Sequence, residues 1–483
     1  MNEGERMGWC DRLKRTGSAI ALGAALAAGG TAARAETLSD ALVQAYQSSP
    51  ILEQQRFLLR ATDEDVAVAV SALRPSVDFI ASYGKVRTST DTDTVDLAGG
   101  GTFTPDGTST ETTSSLALVL SYTLLDAGQR QLRIAAEKES VLAARFGLID
   151  FEQGVLLTAV EAYLGLREAV LAVEVSESNL NLLREELRAT QDRFEVGEVT
   201  RTDVAIAESS LAASISALAA ARGQVDISRE LYRQAIGVLP TGVLAPPPPP
   251  PDLPPSLERA QALALQIHPE ILSAQHDIVA LRLLADETEA NRLPSIGLSS
   301  NFTVSRPDTV TAGVTVTGTV PIYSGGALSA LNREAIAVAQ AAQSNLNTIA
   351  RAITQGVGTS WAELQIAQAQ IVATREGVRA ARLAFEGFQE EARLGARTTI
   401  DVLDAEQDLI DARLALINAQ TDADLAVYSV LDSVGLLTTD HLGLAVQRYD
   451  PSTYYNQVSN APAISPSNQG GRLDRVLRRF GRD

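Results

Sequence analysis

Two long stretches of the chain place small and apolar residues at alternating spacings of four and three. The first stretch runs from Val155 to Phe194 and the second from Ile353 to Ala392. This spacing, held over about five heptads, is typical of helices that pack as coiled coils. The first pattern extends back to Gln129, so it predicts a helix of about 100 Å at about 1.5 Å per residue. Two such rods indicate an elongated protein rather than a compact globular one.

Four shorter segments alternate apolar and polar residues with a period of two, which predicts strands with one apolar and one polar face. A loop rich in Thr, Gly and Asp, from about Arg87 to Thr113, separates the first two segments. The pattern fits an ordinary half-buried hairpin, or membrane strands whose apolar face points toward lipid. The apolar sets are Val77, Phe79, Ala81 and Tyr83; Leu116, Leu118, Leu120 and Tyr122; Ile296, Leu298, Phe302 and Val304; and Ala312, Val314, Val316 and Val320.

The same motif follows both long helical stretches: a glycine, a threonine three residues later, and an aspartate three residues after that. Glycine accepts the positive φ that ends a helix, and Thr-x-x-Asp resembles a capping box that begins the next one. The motif therefore predicts the tip of a helical hairpin in each half of the chain. The two copies are Gly197, Thr200 and Asp203, and Gly395, Thr398 and Asp401.

The two copies belong to an internal repeat of about 200 residues, a length that suits a repeated structural unit. Prolines recur at an offset of 219 and glycines at an offset of 198, and the difference falls in the long loop of the first half. We therefore divide the chain into a signal peptide (1–35), a first repeat (36–245), a polyproline linker (246–255), a second repeat (256–439) and a partly disordered tail (440–483). The matched residues are Pro50 and Pro269, Pro75 and Pro294, Gly128 and Gly326, Gly197 and Gly395, and Gly237 and Gly435.

The N-terminus has the features of a secretory signal. Arg12, Lys14 and Arg15 precede an apolar run, and Ala33-Arg34-Ala35 follows it as a cleavage pattern. The single cysteine, Cys10, precedes the apolar run, so we expect a mature chain with no disulfide and no lipid anchor on cysteine. The net charge is −19, which argues against nucleic-acid binding because phosphate contacts need a basic surface. Beyond the leader, no apolar run is long enough to predict a transmembrane helix.

Two hairpins supply four strands, whereas small closed barrels need about eight. Because an open sheet edge is not tolerated in lipid, membrane strands of this chain must share a barrel with other chains. Three chains would give about twelve strands and a lumen wide enough for water.

The chain resembles a TolC-type outer-membrane efflux protein over nearly all of its mature length. The resemblance is carried by the paired tips, V-G-E-V-T-R-T-D-V and L-G-A-R-T-T-I-D-V-L-D-A, by the matched prolines, and by Gly325-Gly326. It implies a mixed α and β membrane protein, a homotrimeric 12-stranded β-barrel with four strands per chain, continued by a long periplasmic α-helical coiled-coil tunnel. It also implies insertion in outer-membrane lipid of a Gram-negative bacterium, and docking to a periplasmic adaptor (membrane fusion) protein and an inner-membrane pump of RND or ABC type. The implied function is the exit duct of a multidrug efflux pump or of type I protein secretion, with no cofactor.

The resemblance also assigns residues to a periplasmic gate. Asp401 and Asp404 would place six carboxylates around the axis of a trimer, where they would attract cations. Arg397 would belong to a lock that keeps the entrance closed, with Asp203 as its carboxylate partner. The simpler interpretations are helix capping for Asp203 and Asp401, and a solvated helix face for Asp404.

Two further sets of residues complete the candidate sites. The tips are expected to contact the adaptor, although they also suit simple exposed turns; their residues are Val196, Gly197, Glu198 and Val199, and Leu394, Gly395, Ala396 and Arg397. Aromatic residues are candidates for the membrane interfaces, although plain packing fits each of them equally well; these are Phe79, Tyr83, Tyr122 and Phe302.

Two other functions fit parts of the pattern. The carboxylates Asp401 and Asp404 could serve acid–base chemistry in an enzyme, but no nucleophile–base pair and no metal-ligand spacing accompanies them. A trimeric coiled-coil stalk for surface adhesion would use the long helices, but it would not need strands with a polar face. A substrate-cleft enzyme would also not need 66-residue helices, and the matched repeat argues against a stalk, so we expect a channel that is not an enzyme.

Overall fold

The computed structural model describes residues 35–89, 95–97, 99–103, 108–240, 242–306 and 309–462. The first half contains helices α1 (Leu38–Ser48) and α2 (Pro50–Ser71), strands β1 (Ser76–Ser89), β2 (Val95–Leu97), β3 (Gly101–Phe103) and β4 (Thr108–Leu125), and helices α3 (Gln129–Glu195) and α4 (Arg201–Ile236). The second half contains helices α5 (Leu257–Ile267) and α6 (Pro269–Ala290), strands β5 (Ser295–Arg306) and β6 (Thr309–Thr319), and helices α7 (Ala327–Arg393) and α8 (Thr399–Val434), followed by α9 (Pro451–Val458). The predicted signal peptide lies outside the described residues, except for Ala35.

The order of helices and strands occurs twice, and the long helices have equal lengths in both halves. Helices α3 and α7 each have 67 residues, and α4 and α8 each have 36. Gly128 and Gly326 precede α3 and α7 with φ of 89° and 87°, a left-handed conformation that glycine adopts without steric cost. The glycine and proline punctuation therefore predicted these helix boundaries correctly.

The strands of the first half are longer than the sequence pattern indicated. β1 continues to Ser89 and β4 begins at Thr108, so much of the expected loop from Arg87 to Thr113 is strand. β2 and β3 form a small antiparallel ribbon within that segment. The prediction failed because threonine and serine, which we took as loop residues, also suit strands that are polar on one face.

Four strands form one antiparallel sheet in the order β1-β4-β5-β6. The two hairpins are joined because β4 pairs with β5, which brings the two halves of the chain together. Helices lead into β1 and β5 and leave from β4 and β6, so all four junctions lie at the same end of the sheet. The long helices therefore extend from one end of the sheet only.

The main hydrophobic core lies where α1 and the middle of α3 meet the ends of α4 and α8. Tyr163 at its centre donates a hydrogen bond to the carbonyl of Ala245 (2.8 Å) and Tyr232 donates to the Glu36 carboxylate (2.6 Å). Leu253 of the proline-rich linker packs against this core and also against a second one formed by α5, α7 and α8. The linker is thus bound along the junction of the two halves.

The first part of the C-terminal tail is ordered as α9, which packs against α2. Tyr454 donates to the Glu64 carboxylate at 2.5 Å, and the guanidinium of Arg60 lies 5.8 Å from the ring centroid of Tyr449. The Arg74 guanidinium, in the connection between α2 and β1, donates hydrogen bonds to the carbonyls of Asn460 and Ala461. The tail thus begins at the core around the middle of α3, which Leu444 joins, and continues along α2 toward the sheet. The remaining tail residues lie outside the described part of the chain.

One helix in the described ranges, α4, is long and apolar enough to cross a bilayer, although no apolar run in the sequence predicted one. Its hydropathy comes mainly from small residues, as in Leu211-Ala212-Ala213 and Ala217-Leu218-Ala219-Ala220-Ala221. Helix α4 packs along α3 as α8 packs along α7, and small residues permit such close approach of helices. Its composition therefore suits a coiled-coil hairpin.

Candidate functional site: an amphipathic sheet and two helix tips

The strand register sorts the four-stranded sheet into one apolar and one polar face. Directly paired residues share a face, and Phe79 pairs with Leu118, which pairs with Phe302. The next row, on the opposite face, contains Asp78, Val119, Asn301 and Gly313. The alternation predicted from the sequence is therefore continuous across all four strands. Phe79 is 69% exposed and Phe302 is 49% exposed, so nothing in the described part of the chain covers the apolar face.

The four candidate interface aromatics lie on this apolar face at three different heights. Ser76 pairs with Ser121, so Tyr122 is level with residue 75 and lies eight residues from Tyr83 along the strand direction. Eight residues span about 27 Å along the strand at about 3.4 Å per residue. At the strand tilt of about 35–45° in outer-membrane barrels this is about 20 Å of height, comparable to their apolar band of about 25 Å. Phe79 and Phe302 share a row halfway between the two tyrosines.

Both helix tips contain the predicted capping box. The Asp203 carboxylate accepts hydrogen bonds from the backbone N–H of Thr200 (2.8 Å) and from its hydroxyl (2.7 Å). Thr398 makes the same two bonds to Asp401, at 2.9 and 2.7 Å. These bonds from threonine hold the pKa of both aspartates below its ordinary value. The capping interpretation of Asp203 and Asp401 is confirmed.

The turn before each capping box is also the same in both halves. Gly197 and Gly395 have φ of 83° and 77°. The N–H groups of the next residues, Glu198 and Ala396, return to carbonyls of the preceding helix at 2.9 Å in both tips. These bonds satisfy the carbonyls that a helix C-terminus leaves unpaired. The apolar residue before each glycine points into solvent: Val196 is 71% and Leu394 is 85% exposed.

Arg397 makes contacts within its own tip. Its guanidinium binds the Glu391 carboxylate at 2.8 Å and lies 4.4 Å from the ring centroid of Phe388. The expected pair with Asp203 does not form within the chain, because Asp203 caps its own helix and Glu391 lies closer to Arg397. Phe388 was visible in the heptad pattern, whereas nothing in the sequence distinguished Glu391. The first tip has Val199 at the position equivalent to Arg397.

Asp404 is exposed one turn beyond Asp401, on the same side of α8. Its counterpart in the first half is Ile206, so the second carboxylate is a property of the second tip only. The capping box of α8 is formed by Thr398 and Asp401, so the cap does not require Asp404. Two carboxylates are therefore presented on one helix face near the tip.

One functional candidate near the tips was not singled out from the sequence. Glu406 is buried between helices, and its Oε1 atom is without a hydrogen-bond partner. Its burial depends on packing against a helix from the other half, which no local pattern reveals. In the described ranges, no cluster of three or more His, Asp or Glu side chains could hold a metal ion.

Comparisons with known proteins agree with this architecture. Residues 41–238 and 261–436 match the family described as outer membrane efflux protein. The chain is 36% identical over 442 residues to the outer membrane efflux protein BepC of Brucella suis, covering 89% of this chain and 92% of BepC. It is 25% identical to the outer membrane protein TolC of Vibrio cholerae, covering 86% of this chain and 94% of TolC.

Among solved structures, the Campylobacter jejuni CmeC outer membrane channel superposes with a TM-score of 0.71 at 17% identity, covering 89% of this chain and 90% of CmeC. This likeness confirms the fold class, in which a sheet of membrane strands is continued by long helices. The family match and BepC confirm efflux and an outer-membrane location. The two matched ranges fall on either side of the proline-rich linker, as the internal repeat requires. The chain belongs to the outer membrane efflux protein family.

Proposed function

We propose that three copies of the chain join edge to edge into one twelve-stranded barrel, which serves as the passive exit duct of an export machine. The supporting observation is a four-stranded sheet whose apolar face is uncovered and whose order ends at β1 and β6. Lipid provides no hydrogen-bond partners, so the N–H and C=O groups that β1 and β6 direct away from the sheet must pair with another chain.

The strand directions suit closure by identical copies. The sheet is antiparallel throughout and has an even number of strands, so β1 and β6 run in opposite directions. The β6 edge of one copy can therefore pair antiparallel with the β1 edge of the next around a closed ring. Three copies give about twelve strands, and bacterial outer-membrane barrels have even numbers of about eight or more. The polar face would then line the lumen.

Under this arrangement the barrel faces membrane lipid and the helices form a periplasmic tunnel. We assign Tyr83 and Tyr122 to the two membrane interfaces, since their separation suits the height of the apolar band. Phe79 and Phe302, which share a row midway between them, would instead face the lipid interior.

The tips would form the gate and the docking surface of the tunnel. Asp401 and Asp404 of three copies would bring six carboxylates toward one axis, which attracts cations. Arg397, held by Glu391 in the single chain, would exchange that partner for one in a neighbouring copy, with Asp203 as a candidate. The exposed Val196 and Leu394 suit contact with a periplasmic adaptor, and the adaptor would link the duct to an inner-membrane pump of RND or ABC type.

The proposed gate is tested by single-channel recording of the purified protein in planar bilayers. Multivalent cations added on the tip side should block the current of the native protein. The double variant Asp401→Ala with Asp404→Ala should lose the block, whereas Asp408→Ala, on the same helix face but one turn further from the tip, should keep it. A block that survives the double variant would remove Asp401 and Asp404 from the gate.

Docking is tested separately by export in cells. Val196→Asp together with Leu394→Asp should leave the conductance of the purified protein intact while abolishing export, because charge on both tips disrupts an apolar contact. Normal export by this variant would contradict the assignment of the tips as the adaptor contact.

A further inference from the structure

Glu406 lies in the second turn of α8, close to the tip, and is only 2% exposed. Its Oε1 atom is buried and has no hydrogen-bond partner among the residues that the structure describes. The carboxyl group lies near Glu186 of α3, a like charge from the other half of the chain. An ionised carboxylate in this position would be desolvated, unpaired and repelled, so the packed arrangement favours the protonated acid.

A cavity of about 300 Å³ adjoins the Glu406 side chain between α3, α7 and α8. Its charged lining residues are Arg382 and Glu386 from α7, and Glu406 and Arg413 from α8. Asn179 of α3 also lines this cavity, and its side-chain oxygen is a second buried acceptor without a partner. Helix α4 reaches this region through Ser214, which accepts a 3.5 Å bond from the Asn179 amide. The cavity has room for water, and two acceptors without hydrogen-bond partners adjoin it. Water can therefore enter this junction between the helices.

The repeat supplies an internal comparison. The residue equivalent to Glu406 in the first half, at the offset of 198, is Glu208, and Glu208 is exposed in the single chain. The tip motif therefore does not by itself bury a glutamate at this position. Burial of Glu406 results from the packing of α8 against α3, which is where the hairpin α7–α8 meets the hairpin α3–α4.

We propose that Glu406 is a proton-controlled latch between the two hairpins: the protonated side chain stays packed between α8 and α3, and its ionisation favours their separation and the opening of the tips. The proposal rests on the proposed function, since it assigns a control element to the same gate. A latch at this position acts on the gate through helix packing, without touching the exported molecule.

The direction of the pH dependence follows from proton binding in the two arrangements. Burial, and to a smaller extent Glu186, raise the pKa of Glu406 from the ordinary 4.5 to about 7 in the packed arrangement. Separation would return the group to water and to its ordinary pKa, so the packed arrangement binds more protons. The packed arrangement of α8 and α3 therefore keeps its full stability below about pH 4.5. Its stability falls as the pH rises from there to about 7, and it is lowest above pH 7. Hydrogen bonds from Thr398 keep the Asp401 titration below this window.

The test records single channels of the full-length protein between pH 5 and pH 8. The ratio of open to closed time of the native protein should rise about tenfold or more across this range, because each pKa unit corresponds to about a tenfold change in the equilibrium. Glu406→Gln, which imitates the protonated acid, should hold the low ratio at every pH. The matched control Glu208→Gln should follow the native profile. Should Glu406→Gln fail to assemble, Glu186→Gln removes the like charge and should shift the native profile to lower pH.

A second readout is independent of conductance. Infrared difference spectra between pH 5 and pH 8 should contain protonated carboxyl bands from several buried acids, among them Asp432, whose pKa is raised by burial to about 6. Glu406→Gln should remove the component that titrates near pH 7 and leave the others. A native protein that passes no current refutes the proposed duct, whatever the spectra show. A conducting protein whose pH profile survives Glu406→Gln, or whose carboxyl bands are unchanged by Glu406→Gln, refutes the latch alone.

Discussion

Replacing Leu118 with arginine tests whether the apolar face of the sheet contacts lipid. Leu118 is the middle residue of the row that also contains Phe79 and Phe302, midway between Tyr83 and Tyr122. An arginine on the lipid face of an outer-membrane barrel costs about 2–4 kcal/mol at the bilayer midplane. With three copies per barrel, Leu118→Arg should destabilise the assembly by about 6–12 kcal/mol, if the three sites act independently.

The neighbouring residue provides a matched control. Val119 is on the opposite face, where it pairs with Asp78 and Asn301. An arginine at this position would face the lumen and reach a carboxylate, so Val119→Arg should change stability by about 1 kcal/mol or less per copy.

Each variant is refolded from urea into lipid vesicles. The measured quantity is the fraction of assembled protein that resists dissociation by detergent. Leu118→Arg should lower the urea midpoint strongly, and Val119→Arg should leave it nearly unchanged. Equal midpoints for the two variants, or a larger loss for Val119→Arg, would refute the assignment of the apolar face to lipid.

Three further substitutions test the helical part of the protein by thermal or urea unfolding. Tyr232→Phe removes the 2.6 Å hydrogen bond to Glu36 and should cost about 1–2 kcal/mol; an unchanged midpoint would show that this bond contributes nothing. Gly237→Ala brings a Cβ atom to 2.6 Å from the Ser48 hydroxyl at φ of +91° and should cost more than about 1 kcal/mol, so a neutral result would contradict the close approach of α1 and α4. Burial raises the pKa of Asp432 to about 6, so Asp432→Asn should stabilise the fold by about 2–3 kcal/mol at pH 8 and by little at pH 4; a gain that is independent of pH would reject this explanation.

Much of the fold could be predicted because its boundaries depend on local stereochemistry. Gly128 and Gly326 begin the long helices with positive φ, and Thr200 and Thr398 cap the returning ones. Each of these effects involves residues a few positions apart, so it is visible in the sequence. The amphipathic strands were predictable for the same reason, since alternation along a strand becomes a face of the sheet once the register is set.

The features that were not predicted depend on contacts between distant segments. Glu406 and Glu208 occupy equivalent positions in the repeat, yet only Glu406 is covered by α3. Arg397 turned toward Glu391, six residues before it, through a tip geometry that no helical spacing rule describes. The path of α9 along α2 depends on contacts such as that of Tyr454 with Glu64, 390 residues apart in sequence. Local patterns contain no information about such partners.

We infer that one chain supplies a third of a pore. Counting the chains in a conducting complex is the most direct test of this inference. Light scattering with correction for bound detergent gives the protein mass of the purified complex, and the same preparation can be added to a planar bilayer. We expect three chain masses per complex and one uniform conductance step for each inserted complex. A monomeric or dimeric complex, or a trimer that passes no ions, would contradict it.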